Sequence, residues 1–106
     1  MKVIKITEDY ILFDNGSRIT FDHMQDCCEC NYADFEQLAD TGIEQENFKE
    51  PLTFEEVEDQ GFRFGNPGKM YFVPCYSCQN GYYGFDVDIY YNGEQVLTTF
   101  GEWIDG

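Results

Sequence analysis

Three cysteines, the single histidine and three carboxylates are packed into the nine residues from Asp22 to Cys30. The other two cysteines, Cys75 and Cys78, begin a second short stretch that runs to Gly84. Thiolate and imidazole groups are the side chains that bind transition metals and that act as nucleophiles and bases. These two stretches are therefore where this sequence could do chemistry, and we expect the fold to bring them near each other.

The spacing of the cysteines predicts a zinc site as one alternative. Cys27 and Cys30 form one Cys-x-x-Cys pair. Cys75 and Cys78 form a second pair. A two-residue gap lets both sulfurs reach one ion at about 2.3 Å, and His23 is a further candidate ligand. Neither pair is followed by the glycine or lysine that is common in zinc knuckles, so buried or half-buried thiols without metal are the competing interpretation.

Two catalytic interpretations are weaker. A thiol–disulfide enzyme needs its first cysteine at a helix N-terminus, where the helix dipole stabilises the thiolate, but the glycines after Cys78 argue against a helix. A nucleophile–base pair of His23 with Cys27 or Cys28 needs a sharp turn, because four extended residues span about 13 Å. We therefore expect no catalytic site.

The charge of the chain predicts the kind of partner. The sequence has 21 acidic and 6 basic residues, which give a net charge of −15, and residues 31–60 hold 10 acids and 1 base. Such a chain is repelled by nucleic acid and by anionic membranes, so we expect direct binding to neither. We expect a basic protein partner, such as a nucleic-acid-binding protein. A solvated acidic face that only keeps the protein soluble is the competing interpretation. The carboxylates expected to form its binding face are Asp34, Glu36, Glu44, Glu46, Glu55, Glu56, Glu58 and Asp59.

Length and cysteine count indicate the class of protein. A chain of 106 residues has the size of one domain, and we expect a single domain over residues 1–106. Five cysteines are an odd number, and the sequence has no signal-peptide pattern and no apolar run of 18 residues. These features favour a reducing cytoplasm. We expect no cofactor, with zinc as the one alternative.

The hydrophobic pattern predicts mainly antiparallel β-structure. Asn15-Gly16 and Asn92-Gly93 each stand between apolar runs, and both dipeptides tolerate the positive φ of a type I′ hairpin turn. Alternation of apolar and polar residues favours strands over 18–23 and 85–91, with His23 on the apolar side of its strand. Other short strands are expected at 3–6, 10–13, 62–64, 95–99 and 70–73, the last ending at Pro74.

One or two short helices are expected between residues 31 and 60. Asn31 is a suitable N-cap and Gly42 a suitable C-terminal stop for the first helix. Its buried stripe would consist of Tyr32, Phe35, Leu38 and Ala39. Residues 43–51 are read as an acidic connection. Thr53-Phe54-Glu55-Glu56 fits a capping box, although a strand over 52–57 is nearly as good, and the expected fold class is α+β.

Two motifs resemble those of a family of small, uncharacterised phage and prophage-type domains. The first motif is His23-x-Gln25-Asp26-Cys27-Cys28-Glu29, which follows the first hairpin. The second is Asn80-Gly81-Tyr82-Tyr83, and the two motifs stand in the order that the family has. The family signature includes the adjacent pair Cys27-Cys28 and includes neither Cys30 nor Cys78.

The resemblance implies a phage or mobile-element context and attaches no activity to the chain. It also favours a structural corner over a metal site, with the polar residues of the first motif satisfying buried backbone groups beside the Asn80–Tyr83 turn. We therefore predict a non-enzymatic protein of phage type that binds or inhibits a basic protein partner in the cytoplasm of a bacterial host. A small zinc-binding domain is the alternative.

Overall fold

The computed structural model describes residues 1–22, 31–58, 60–77, 86–100 and 102–103. These residues form ten strands and two single 3₁₀ turns, at Phe35–Leu38 and Ile43–Gln45. The strands are β1 (Val3–Ile6), β2 (Tyr10–Phe13), β3 (Arg18–Asp22), β4 (Asn31–Ala33), β5 (Thr53–Val57), β6 (Gly61–Asn66), β7 (Lys69–Ser77), β8 (Asp86–Tyr91), β9 (Glu94–Phe100) and β10 (Glu102–Trp103).

The strands form two five-stranded sheets. Sheet 1 has the order β1-β2-β3-β8-β9, and all of its neighbouring strands are antiparallel. Sheet 2 has the order β10-β7-β6-β5, with β4 also paired to β7. The pairing of β10 with β7 is parallel, and the other pairings of sheet 2 are antiparallel. The chain passes from one sheet to the other between β3 and β4, between β7 and β8, and between β9 and β10.

The expected α+β class is wrong, because the described residues are nearly all β and contain no helix of seven or more residues. Asn31 is not a helix cap, since it pairs with Ser77 in sheet 2. The helical pattern after it yields one 3₁₀ turn that buries Phe35 and Leu38, while Ala39 is exposed. The second expected helix is strand β5, which pairs with β6 along its whole length.

Both hairpins predicted from Asn-Gly dipeptides are present, but their turns differ. Asn92 has φ 53° and Gly93 has φ 85°, as a type I′ turn requires. At the first hairpin only Gly16 has positive φ, at 88°. There Gly16 N donates to Phe13 O at 3.0 Å and Phe13 N donates to Ser17 O at 2.9 Å. These bonds close a three-residue loop with a bulge at Gly16, and not a two-residue turn.

The strand expected to end at Pro74 instead runs on to Ser77. Pro74 is tolerated within β7 because it lies opposite Gly61, and the ladder resumes at once with Cys75 N donating to Gln60 O at 2.9 Å. Gly61 has φ 147°, and a Cβ atom there would overlap the carbonyl oxygen of Val73. The Gly61 carbonyl also accepts a hydrogen bond from the buried hydroxyl of Thr99, which joins β6 of sheet 2 to β9 of sheet 1.

Phe48 connects the two sheets through the core. It belongs to the connection before β5, and its side chain is 1% exposed. Its ring centroid lies 5.6 Å from that of Phe13 in β2, 5.8 Å from that of Phe64 in β6 and 5.7 Å from that of Tyr71 in β7. Since β2 belongs to sheet 1 and the other two strands to sheet 2, one loop side chain packs against both layers.

Backbone bonds hold the segment around Phe48 in place. Phe48 N donates to Met1 O at 2.8 Å. The next residue, Lys49, donates its backbone N–H to Asn66 Oδ1 at 2.8 Å and accepts a bond from Asn66 Nδ2 at 2.6 Å. The side-chain amide of Asn66 therefore bonds to both backbone groups of Lys49, as a neighbouring strand would. These bonds hold Phe48 at its position in the core.

We predict that Phe48→Ala lowers the free energy of unfolding by about 3–5 kcal/mol, because it leaves a cavity that borders both sheets. Urea denaturation at neutral pH measures the change. Phe72→Ala is the matched control, since Phe72 is 41% exposed, and it should cost less than about 1.5 kcal/mol. Equal losses for the two variants would contradict the bridging role of Phe48, and Phe48→Leu replaces the alanine variant if that variant does not fold.

Candidate functional site

The pairing of the strands brings together the described ends of the two cysteine-containing stretches. Asn31, which follows the first stretch, is the Cα partner of Ser77 in the β4–β7 register. Asp22, which begins the first stretch, is the Cα partner of Asp88, two residues after the start of β8. The strand before the first stretch therefore pairs with the strand after the second, and the strand after the first stretch pairs with the strand that leads into the second.

Residues 23–30 and 78–85 themselves lie outside the described residues. The polar corner expected there and the alternative set of metal ligands stay predictions, as does the expected absence of a catalytic site. The residues concerned are His23, Gln25, Asp26, Cys27, Cys28, Glu29, Cys30, Cys78, Asn80, Gly81, Tyr82 and Tyr83.

Cys75 is the one cysteine within the described residues, and it is a core residue. Its side chain is fully buried in the hydrophobic cluster between the sheets. Burial raises the pKa of its thiol to about 12, because an apolar environment disfavours the thiolate. The described part of the chain contains no group of three or more His, Cys, Asp or Glu side chains placed to hold a metal ion. In this arrangement Cys75 acts as a small apolar side chain.

Aromatic and amide groups border the ends of the two stretches. Tyr32 of β4 and Tyr76 of β7 are Cα partners, and their ring centroids are 5.6 Å apart. Gln37 Nε2, in the first 3₁₀ turn, donates to the Tyr76 hydroxyl oxygen at 3.1 Å and to Asp34 Oδ2 at 3.0 Å. These contacts fix the first 3₁₀ turn against the end of β7.

Five carboxylates lie along residues 34–46, which we call the acidic segment. Glu36, Asp40 and Glu44 are exposed, and their carboxylates make no hydrogen bond or ion pair within the described structure. Asp34 accepts the bond from Gln37, and Glu46 Oε1 accepts one from the Tyr71 hydroxyl at 3.2 Å. The segment includes no basic residue. Its negative charge is therefore not compensated from within.

The remaining carboxylates of the predicted face belong to β5 and the turn after it. Glu55 pairs with Arg63, whose Nε donates to Oε2 at 2.6 Å, and this is the one salt bridge among the described residues. Glu56 follows directly along the strand, so its side chain leaves β5 on the opposite face. Glu58 is exposed just after the strand, and Asp59 lies outside the described residues. A continuous face formed by all eight carboxylates stays a prediction.

A polar cluster that sequence reasoning missed surrounds Glu50. Glu50 Oε1 accepts hydrogen bonds from the Tyr91 hydroxyl at 2.8 Å, from Asn15 Nδ2 at 3.2 Å and from Ser17 Oγ at 3.3 Å. Asn92 extends the cluster, since its Nδ2 donates to Ser17 Oγ at 3.3 Å and its Oδ1 accepts from Arg18 N at 2.9 Å. We call Asn15, Ser17, Glu50, Tyr91 and Asn92 the Glu50 network.

The Glu50 network joins the turns of both hairpins to the connection that follows Phe48. Hydrogen bonds from Tyr91 and then Asn15 lower the pKa of the Glu50 carboxyl, because they favour its charged form. Burial, together with the neighbouring carboxylate, raises the pKa of the Tyr91 hydroxyl. The Glu50 network holds two hydroxyls and one carboxylate, and among the described residues no base other than this engaged carboxylate bonds to the Ser17 hydroxyl. Its geometry fits a structural clamp.

Comparison with known proteins assigns the chain to a family. Residues 1–89 match a family described as a domain of unknown function, DUF7448, and the chain belongs to this family. This agrees with the expected membership of an uncharacterised domain family. No curated protein and no solved structure matches the chain. Within the described residues, no helix is long and apolar enough to span a membrane.

The Glu50 network generates a pH prediction. A carboxyl whose pKa is lowered by folding stabilises the protein above its unfolded pKa, and this stabilisation is lost as the pH falls through the folded value. We therefore expect Glu50→Gln to lower the urea midpoint at pH 7, and the difference from the unmodified protein to shrink below about pH 4. Glu44→Gln is the control, because Glu44 has no partner in the described structure, and it should not lower the midpoint. An equal effect of Glu50→Gln at pH 7 and pH 3.5 would contradict a role for the charged form.

Proposed function

We propose that this chain is an acidic binding module that occupies a basic surface of a protein partner and inhibits or sequesters it without catalysis. The setting we propose is a phage or mobile element acting in the cytoplasm of a bacterial host. A nucleic-acid-binding protein is the partner class that fits best, because its binding groove is already shaped for a row of negative charges.

The observation that supports the proposal is the exposure of uncompensated carboxylates on the acidic segment. Five carboxylates and no base occur within 13 consecutive residues, and three of them have no partner in the described structure. On an ordinary soluble surface, carboxylates are interspersed with basic residues. Here the bases of the described chain lie elsewhere, and the single ion pair is in sheet 2.

The acidic segment is held in a defined shape, which favours binding. Phe35, Leu38 and Ile43 are at most 2% exposed, and they anchor the segment to the core. Backbone bonds form the turns around these anchors: Ala39 N donates to Glu36 O at 3.1 Å and Gln45 N donates to Gly42 O at 2.9 Å. A preorganised set of charges loses less conformational entropy on association than a flexible acidic tail.

Charge density shows that local clustering matters more than net charge. A charge of −15 on a surface of 6241 Å² is about one charge per 400 Å². Duplex DNA carries roughly one charge per 100 Å², given one charge per 1.7 Å of axis on a cylinder about 20 Å wide. The average surface is therefore too dilute by about fourfold, and a DNA-like density requires local clustering of carboxylates, for which the acidic segment is the candidate.

The test is displacement of basic DNA-binding proteins from fluorescent duplex DNA. We expect the chain to displace at least one member of such a panel at 50 mM salt, with an affinity that falls about tenfold or more by 200 mM salt. The combined variant Glu36→Gln, Asp40→Asn and Glu44→Gln should weaken displacement at least about tenfold, because it neutralises the three unpaired carboxylates of the acidic segment.

The matched control changes the same net charge at other exposed sites. Glu8→Gln, Asp9→Asn and Glu94→Gln together also remove three negative charges, and they should weaken displacement less than about threefold. Equal weakening by both combined variants would mean that net charge alone acts. Failure to displace any member of the panel would contradict the proposed function.

A further inference from the structure

The two edges of sheet 1 are irregular. In the β1–β2 pairing, Val3 and Lys5 face consecutive partners, so Ile4 is an extra bulged residue. In the β8–β9 pairing, Leu97 and Gln95 face consecutive partners, so Val96 is the extra residue. Bulges at edge strands disrupt the row of backbone groups that another strand would need. Both edges of sheet 1 are thereby poor templates for strand addition.

The β5 edge of sheet 2 is regular. Its residues pair with β6 in five consecutive registers, from Thr53 with Gly65 to Val57 with Gly61, and no shift occurs between them. β5 is the last strand of its sheet, and it lies near β9 without pairing to it. Within the described structure, the backbone groups on its outer side therefore have no strand partner.

Carboxylates stand on both faces of this edge. Glu55 lies on the face that also carries Arg63, and Glu56 lies on the opposite face without a partner among the described residues. Glu58 adds a third exposed carboxylate directly after the strand. A basic strand laid along β5 would meet a negative side chain on whichever face its own basic side chains occupy.

The same carboxylates disfavour a second copy of this chain at β5. Antiparallel pairing of two β5 strands about their centres would place Glu55 opposite Glu55 and Phe54 opposite Glu56. Like charges directly opposite each other destabilise a strand pair, and the net charge of −15 adds repulsion between copies.

We propose that β5 is a docking edge of the module in addition to the acidic segment, and that an extended segment rich in Lys or Arg from the protein partner adds to it as a further strand of sheet 2. Backbone hydrogen bonds along Thr53–Val57 supply the affinity, and the carboxylates of Glu55, Glu56 and Glu58 select basic side chains. This inference rests on the proposed function and specifies how the basic partner is recognised.

The probe is a blocked eight-residue peptide in which lysine alternates with threonine, titrated into the full chain by isothermal calorimetry. Two further peptides carry N-methyl groups, one on every lysine amide only and the other on every amide. In an added strand only alternate amides face the neighbouring strand. Because carboxylates stand on both faces of β5, the first of these peptides can turn its free threonine amides towards β5, and its affinity should stay within about threefold of the parent. The fully methylated peptide has no amide left to donate, and it should lose about tenfold or more in affinity.

Equal affinity of all three peptides would overturn strand addition while leaving a charge-based binding function in place. Strand addition would also be overturned if none of the peptides binds although the chain still displaces a basic protein from DNA. Failure of both experiments would remove the proposed function itself, so the two failures are distinguishable.

Variants of the chain and its state of association complete the test. Glu56→Gln should weaken binding of the parent peptide at least about threefold, whereas Glu94→Gln, at the bulged β9 edge, should leave it unchanged. Sedimentation of the chain alone at 0.5 M salt should show a monomer. A dimer that the peptide disperses would show that the β5 edge is occupied by a second copy, which would overturn the proposal.

Discussion

The packing of Phe48 between the two sheets is the contact on which the rest of the structure depends. Its ring touches Phe13 on one sheet and Phe64 and Tyr71 on the other, so each sheet is positioned against the other through a residue that belongs to neither. The connection that carries Phe48 also carries Glu50, which draws both hairpin turns towards the same point. A short loop thus sets the spacing of the layers and the position of their ends.

The surface chemistry follows from this frame. Many aromatic side chains pack between the sheets, and carboxylates are exposed on the acidic segment and on the β5 edge. Cys75, the one cysteine among the described residues, is part of the core and belongs to neither place. In the function that we propose, the apolar core holds the fold and the exposed carboxylates contact the partner. Residues 23–30 connect β3 of sheet 1 to β4 of sheet 2, and residues 78–85 connect β7 of sheet 2 to β8 of sheet 1.

The sequence predicted the parts of the fold that are encoded locally. Asn-Gly dipeptides between alternating residues located both hairpins, because turn chemistry and strand period are properties of adjacent residues. The helix expected from Asn31 failed because tertiary pairing with β7 took its first turn into a sheet. Phe48 gave no signal, since a single apolar residue among charged neighbours has no period. Glu50 was missed because its partners Asn15 and Tyr91 are 35 and 41 residues away.

Salt dependence of stability tests most directly the claim that the carboxylates of this surface are uncompensated. With a net charge of −15 and one salt bridge among the described residues, repulsion should outweigh attraction on the folded surface. Urea unfolding at pH 7 should therefore give a free energy of unfolding that rises by about 1 kcal/mol or more between 10 mM and 300 mM NaCl, as screening relieves the repulsion. A free energy that falls over this range would show that ion pairs dominate the surface, and it would contradict this account.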